Sequence, residues 1–248
     1  MKRMTIVVLF LGSLALAQEG GAKAGAELTD PVEILKNADA ATKEVKAVQY
    51  TGSAKGTEAN ETRLPTAEGK MVLAGWANNS PAKYRVELKI KRPGASDVIE
   101  LGAGANGDTT FLVDHKNKKA HEDIDPAVLG GARRDVSLIT MAEFVQPDAF
   151  SDEISSEKPE LKGAAKVGNE DCYEVHVKYA QPNVEAVWFF SKKDFLPRRV
   201  DRMNVNREGK KAGRQLIITD LVVNPKITDD AFKLVAPPGY TKTDDFAP

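Results

Sequence analysis

Cysteine is almost missing from this chain: Cys172 stands alone among 248 residues. One cysteine admits no internal disulfide, so the fold must rest on its apolar core, and Cys172, set at strand spacing, reads as a small packed residue instead of a reactive thiol. Histidine is also scarce, at three. His115 and His121 flank a hairpin with Asp114, Glu122 and Asp123 beside them, but the spacing matches no compact metal motif, and exposed hairpin charge explains them better. His176 sits on the polar parity of its strand. Charge of one sign is lacking too: 35 basic residues against 36 acidic ones give a formal net charge of −1. No strong electrostatic partner is implied, and with neither a basic stripe nor interleaved aromatics the pattern argues against nucleic acid. No serine lies in a Gly-x-Ser-x-Gly turn, and His176, on the same strand face as Cys172, lies two pleats away from it. Gly102 to Gly107 lacks the lysine and following helix of a phosphate loop and reads as a strand-to-strand turn. Nothing here calls for an enzyme, a cofactor or a metal.

Long apolar runs are absent as well, with one short exception. Met1 to Ala17 has a basic start at Lys2 and Arg3, an apolar stretch from Ile6 to Leu11 continued by Leu14 to Leu16, and an Ala15-Leu16-Ala17 ending. That is the pattern of a secretory signal peptide. A membrane anchor is the alternative, but the run falls short of the roughly 20 residues a spanning helix needs. Cleavage leaves Gln18 first, where a lipid-anchored protein needs Cys, so a soluble exported (periplasmic) protein is expected, with no integral membrane span in the mature chain. Loss of Lys2 and Arg3 takes the net charge to about −3, again too small to define a partner. Gly- and Ala-rich residues 18–30 read as a disordered leader, and residues 31–248 as a single domain.

The clearest pattern lies between Asp171 and Val223. Tyr173, Val175, Val177 and Tyr179 alternate with polar neighbours, and the segments holding Trp188 to Phe190, Phe195 to Asn206 and Arg214 to Val223 follow with polar turns between them. These are four consecutive antiparallel strands joined by hairpins. From Leu216 to Val223 both parities are apolar, which predicts cover on both faces of the sheet.

Elsewhere, Asp30-Pro31 opens a helix running to about Lys46, with Ile34, Leu35, Ala38, Ala41, Thr42 and Val45 on one stripe. Strands are expected at Val48 to Gly56, Gly69 to Asn78, Ala82 to Lys91, Asp97 to Gly102, Thr109 to His115 and Ala120 to Ile124. Pro126 to Gly131 and Val136 to Phe144 read as helical, the latter with a wide apolar face that includes Leu138 and Met141. A short helical turn is expected within Asp148 to Ile154, and Ser155 to Pro159 reads as linker.

Alternation places Trp76, Tyr84, Val86, Leu88, Tyr173, Val175, Val177, Trp188 and Phe190 on apolar strand faces, with Leu138 and Met141 on the helical cover. In a bent sheet these residues line one cavity, or else they form a closed core. Burying such a side chain is worth roughly 1.5 to 3 kcal/mol against either a helix or an acyl chain, so the sequence leaves both readings open: an apolar-ligand carrier, or a sensory or structural interaction domain. The basic cluster Arg198, Arg199 and Arg202 reads as a solvated outer face with local ion pairs, in preference to a contact with lipid head groups.

The order of elements, together with Thr228-Asp229-Asp230-Ala231-Phe232-Lys233-Leu234 and Pro237-Pro238-Gly239-Tyr240, resembles the LolA/LolB-like lipoprotein carriers. The Asn106-Gly107-Asp108-Thr109-Thr110-Phe111 turn and the Gly69 to Leu88 strand pair broken at Ser80-Pro81 add to the likeness. It implies an α+β fold in which a strongly curved antiparallel β-sheet, an incomplete β-barrel, has helices covering its concave face. It also implies lipid or lipoprotein acyl chains as ligands and an envelope protein as a possible partner. In the family's periplasmic shuttle an arginine precedes the strand-pair proline. Here that residue is Ser80, so the gating role is not carried over, and a broader lipid-binding relative or an envelope-stress sensor fits better than a dedicated shuttle.

Overall fold

The computed structural model describes residues 27–107, 109–122, 130–233 and 235–243. The expected signal peptide and most of the expected leader lie outside them, as do Asp108, residues 123–129 and Leu234.

Helix α1 (Pro31–Lys43) starts where Asp30 accepts a hydrogen bond from the Val32 amide at 2.9 Å and Pro31 takes the first turn. It ends earlier than the apolar periodicity suggests, because Val45 is buried from the link to the first strand and not from a helical turn. Ile34, Leu35 and Ala38 point into the core.

The strands are β1 (Ala47–Glu58), β2 (Thr66–Ala77), β3 (Ser80–Lys91), β4 (Val98–Ala105), β5 (Thr110–Asp114), β6 (Lys119–Glu122), β7 (Glu160–Val167), β8 (Glu170–Lys178), β9 (Val184–Ser191), β10 (Pro197–Val205), β11 (Lys211–Val223) and β12 (Thr241–Lys242). They form one 12-stranded sheet in the order β12-β6-β5-β4-β3-β2-β1-β11-β10-β9-β8-β7. Every pairing is antiparallel except β12 with β6. Two meanders are joined where β11 returns to β1, from Val48 opposite Val223 to Glu58 opposite Ala212. Asn224 secures the start of this seam by accepting from the Lys46 and Ala47 amides at 2.7 and 3.3 Å. The sheet curves but does not close, since β7 and β12 are its two edges. Edge strand β7 carries Lys162 and Lys166 and an irregular register at Gly163, devices that discourage edge-to-edge association.

The concave face holds one large core cluster that draws Met71, Leu73, Val86, Leu88 and Leu112 from the first meander and Tyr173, Val175, Trp188 and Phe190 from the second. Its cover is α1, α2 (Gly130–Ser137), a 3-10 turn at Ala142–Phe144 and α3 (Ser151–Ile154). On the convex side Phe111, Val113 and Ala120 are covered by Ala236 and Tyr240, while Val167, Cys172, Val187 and Phe189 form a second small cluster.

Four expectations are corrected. The helix read over Val136 to Phe144 is two pieces: α2 stops at Ser137 and a 3-10 turn begins at Ala142, because Tyr50 inserts its hydroxyl into the backbone between them. Gly102 to Ala105 belong to β4, not a turn, paired on one side with β3 and on the other with β5. Strand β7 was not anticipated, since its alternation is of Lys, Ala and Gly with little apolar area. Finally, the two-faced cover of β11 stops at Ile218, and Val222 and Val223 are exposed.

Candidate apolar site

The second meander's aromatic row is filled from within. Phe150 meets Trp188 and Phe190 edge-on, each with ring centroids 5.1 Å away. Trp188 and Phe190 stack at 5.8 Å, and Phe144 lies 5.6 Å from Tyr50. Offset and edge-on pairs of this kind add to the stabilisation from area alone. Tyr173 stacks on Phe195, and Val175 and Val177 are buried beside it. Val86, Leu88, Leu138 and Met141 are buried in the same cluster, and Trp76 packs half-buried at its margin.

Tyr84 is placed differently. It lines a recess of about 470 Å³ between α2 and the ends of β2 to β5, within the size range of small-ligand sites. Leu73, Ala77, Pro81, Ala82, Ala105 and Val136 give it an apolar wall. Three of the hydroxyls around the wall are spent locally: Thr140 donates to the Val136 carbonyl at 2.8 Å, Ser137 to the Arg134 carbonyl at 2.6 Å and Ser80 to the Ala77 carbonyl at 3.2 Å. The Asn78-Asn79 turn, with φ of 52° and 59°, folds β2 back on β3 at its lip. Arg133 is the one charged side chain on the lining among the described residues. Burial raises the pKa of the Tyr84 phenol, opposed by the nearby Arg133 charge, so it stays a protonated donor.

Of the residues read from sequence as cavity lining, the structure brings only Tyr84 to this recess. Val136 was within reach of sequence reasoning, on the helical segment that carries Leu138 and Met141, whereas Leu73 lies on the opposite strand parity to Trp76, the residue named from its segment. Arg133 was not, because it falls between two stretches read as separate helices.

A second opening, about 1330 Å³, lies between α3, the β8–β9 turn and β10, and its lining is mixed: Glu143, Asp152, Glu153, Lys178 and Arg202 stand beside apolar residues such as Val184 and Met203. Arg202 pairs with Glu143 and lies over the Trp188 ring at 5.1 Å. Trp188 donates to the Tyr179 hydroxyl at 3.3 Å, which in turn donates to Glu153.

The basic cluster divides between the sheet's faces. Arg199 pairs with Asp201 and covers Phe189 at 4.5 Å. Arg198 is not solvated: its side chain is 8% exposed and bridges Glu170 and Asp194, at 2.7 Å to each. His115 bonds Tyr240 at 3.0 Å, and His176 bonds Glu174 at 2.8 Å. Among the described residues no cluster of His, Cys, Asp and Glu is set to hold a metal, and no helix is long and apolar enough to cross a membrane.

No family profile and no curated protein matches the chain. Solved structures do. LprF from Mycobacterium bovis aligns over 85% of this chain and 97% of its own, with a TM-score of 0.50 and 10% identity. A LolA superfamily protein from Nitrosomonas europaea aligns over 84% and 99%, with a TM-score of 0.37 and 11% identity. The chain also matches the Pseudomonas aeruginosa MucA/MucB complex over 84% of its own length but only 62% of that chain, with a TM-score of 0.44 and 12% identity. The chain shares its fold with LprF, an open, curved α+β half-barrel of the kind the sequence resemblance implied. At such identities the likeness concerns the fold alone.

Proposed function

We propose that this is an exported, non-enzymatic binding protein that holds the apolar chain of a lipid or lipoprotein in the recess between α2 and the β2–β5 end of the half-barrel. The observation that supports it most is the recess itself, apolar along its walls and continuous with the core cluster through Leu73 and Val136. Residues 31–248 then act as one unit, released after Ala17 as a soluble periplasmic protein. Tyr84 is the first contact. A longer chain would reach Val86, Leu88, Leu138, Met141 and Trp76 by displacing α2, and the Tyr173, Val175, Val177, Trp188 and Phe190 wall only by displacing Phe144 and Phe150 as well.

The test is filling the recess. The Ala105→Trp variant places an indole into it, and a folded variant, checked by circular dichroism, is expected to lose uptake of laurate or a dodecyl detergent monomer measured by native mass spectrometry. Wild-type protein that takes up no such ligand from envelope extract or by titration sinks the proposal. The filled Trp188–Phe150–Phe190 region favours the second reading, a sensory or structural domain with a closed core and an envelope protein partner, and that result would leave it standing.

A further inference from the structure

A phenol and a guanidinium are among the hydrogen-bond donors of the recess that have no partner among the described residues. Among the described residues, the Tyr84 hydroxyl makes no hydrogen bond and Arg133 no ion pair, while the Ser80, Ser137 and Thr140 hydroxyls of the same lining are engaged with backbone carbonyls. Arg85, Arg92, Arg198, Arg199 and Arg202 are committed to carboxylates, whereas Arg133, like Arg63, Arg134 and Arg207, has no ion pair among the described residues; of these four only Arg133 lines the recess. Arg133 is exposed at the lip, whereas Tyr84 is half-buried on the wall. An apolar slot with a guanidinium at its mouth and a phenol partway in matches one chemistry: an acyl chain ending in a small anion.

Resting on the apolar-ligand reading above, we propose that the recess selects anionic single-chain amphiphiles, with a carboxylate or phosphate head held by the Arg133 guanidinium and the Tyr84 hydroxyl. Charge complementarity supports that occupant: no acidic side chain lines the recess among the described residues, so an anionic head meets no like charge there and a cationic head meets Arg133. The guanidinium fork suits either oxyanion. Partial solvent exposure of Arg133 limits the gain, since screening weakens charges at an open mouth.

The experiment compares chains of equal length below their micelle concentrations: laurate, dodecyl phosphate, dodecyl maltoside and dodecyltrimethylammonium. Intact mature protein is titrated and binding is followed by native mass spectrometry and tryptophan fluorescence. Wild-type protein is expected to bind the two anions about five- to tenfold more tightly than the maltoside, the low end for a charge-assisted contact. The Arg133→Gln variant, altered at an exposed helix position, should lose that preference while keeping maltoside affinity, and Tyr84→Phe should lose part of it. Laurate and dodecyl phosphate differing from one another identifies which head is read. Equal binding of all four amphiphiles, or an anion preference that survives Arg133→Gln, overturns this inference but spares the apolar-ligand reading. Binding of none of them overturns both.

Discussion

Tyr50 and Met141 are joined by a hydrogen bond across the core: the Met141 amide donates to the Tyr50 hydroxyl at 2.9 Å, and the same hydroxyl donates to the Ile139 carbonyl at 3.0 Å. One buried side chain from β1 thereby satisfies two of the backbone groups that the break in the helix frees. Burial pushes the Tyr50 pKa upward, so the hydroxyl remains a donor throughout the useful pH range.

Tyr50→Phe keeps the ring against Phe144 but orphans a buried N–H and a buried C=O. The expected loss is about 2 kcal/mol, the desolvation cost of unmade buried hydrogen bonds. Urea unfolding followed by far-ultraviolet circular dichroism measures it. A loss under about 0.5 kcal/mol, the level of an ordinary surface change, would show that water or a shifted backbone replaces the phenol.

That contact also marks where sequence reading stopped. Strands with a strict period, such as Tyr84-Val86-Leu88 and Tyr173-Val175-Val177, were legible because one face buries large apolar side chains and the other does not. Helix α1 was legible from its Asp-Pro start. The pairing of β11 with β1 was not, since it joins residues such as Val48 and Val223 that no local signal relates. The break after Ser137 has no Gly or Pro to announce it; a tyrosine far away in sequence enforces it. For the recess, periodicity identified the face that carries Tyr84, but the space depends on where α2 ends and on Ala82 and Ala105 being small. Parity says which way a side chain points, not whether another one fills the gap before it.

Gly69 tests how tightly β2 and β3 approach. A Cβ there would sit 2.2 Å from the Glu87 carbonyl oxygen, which is backbone and cannot swing away. Gly69→Ala is expected to cost about 2 to 3 kcal/mol, the upper range for overpacking. Gly94, with φ of +72° and no neighbour within 4 Å of such a Cβ, is the control: Gly94→Ala should cost only about 1 kcal/mol, for the left-handed backbone. Thermal unfolding of the two variants side by side reads the difference. Equal costs would mean that the strands separate readily at Gly69.

Glu153 supplies a pH dependence of known sign. It is 5% exposed, and burial raises its pKa, opposed by the hydrogen bond from Tyr179; the Glu143 charge raises it further and Arg202 lowers it. A carboxyl whose folded pKa exceeds its unfolded one stabilises the fold fully below the unfolded pKa. That contribution is lost as pH rises through the folded pKa. Above the unfolded pKa, wild-type protein therefore bears a cost for burying Glu153. Glu153→Gln removes the charge and keeps an oxygen that accepts from Tyr179. It should be at least as stable as wild type at pH 7.5 and lose that relative advantage as pH falls toward 4.5. The comparison must be made as a difference at each pH, because Glu170 titrates in the opposite sense: burial raises its pKa, but the Arg198 and Ser191 hydrogen bonds outweigh this and hold it low, so its stabilisation fades in acid. Urea midpoints of both proteins across that window provide the measurement. A stability difference that is flat with pH, or that grows in favour of Glu153→Gln on acidification, would show that Glu153 is solvated through the second opening and does not sense burial at all.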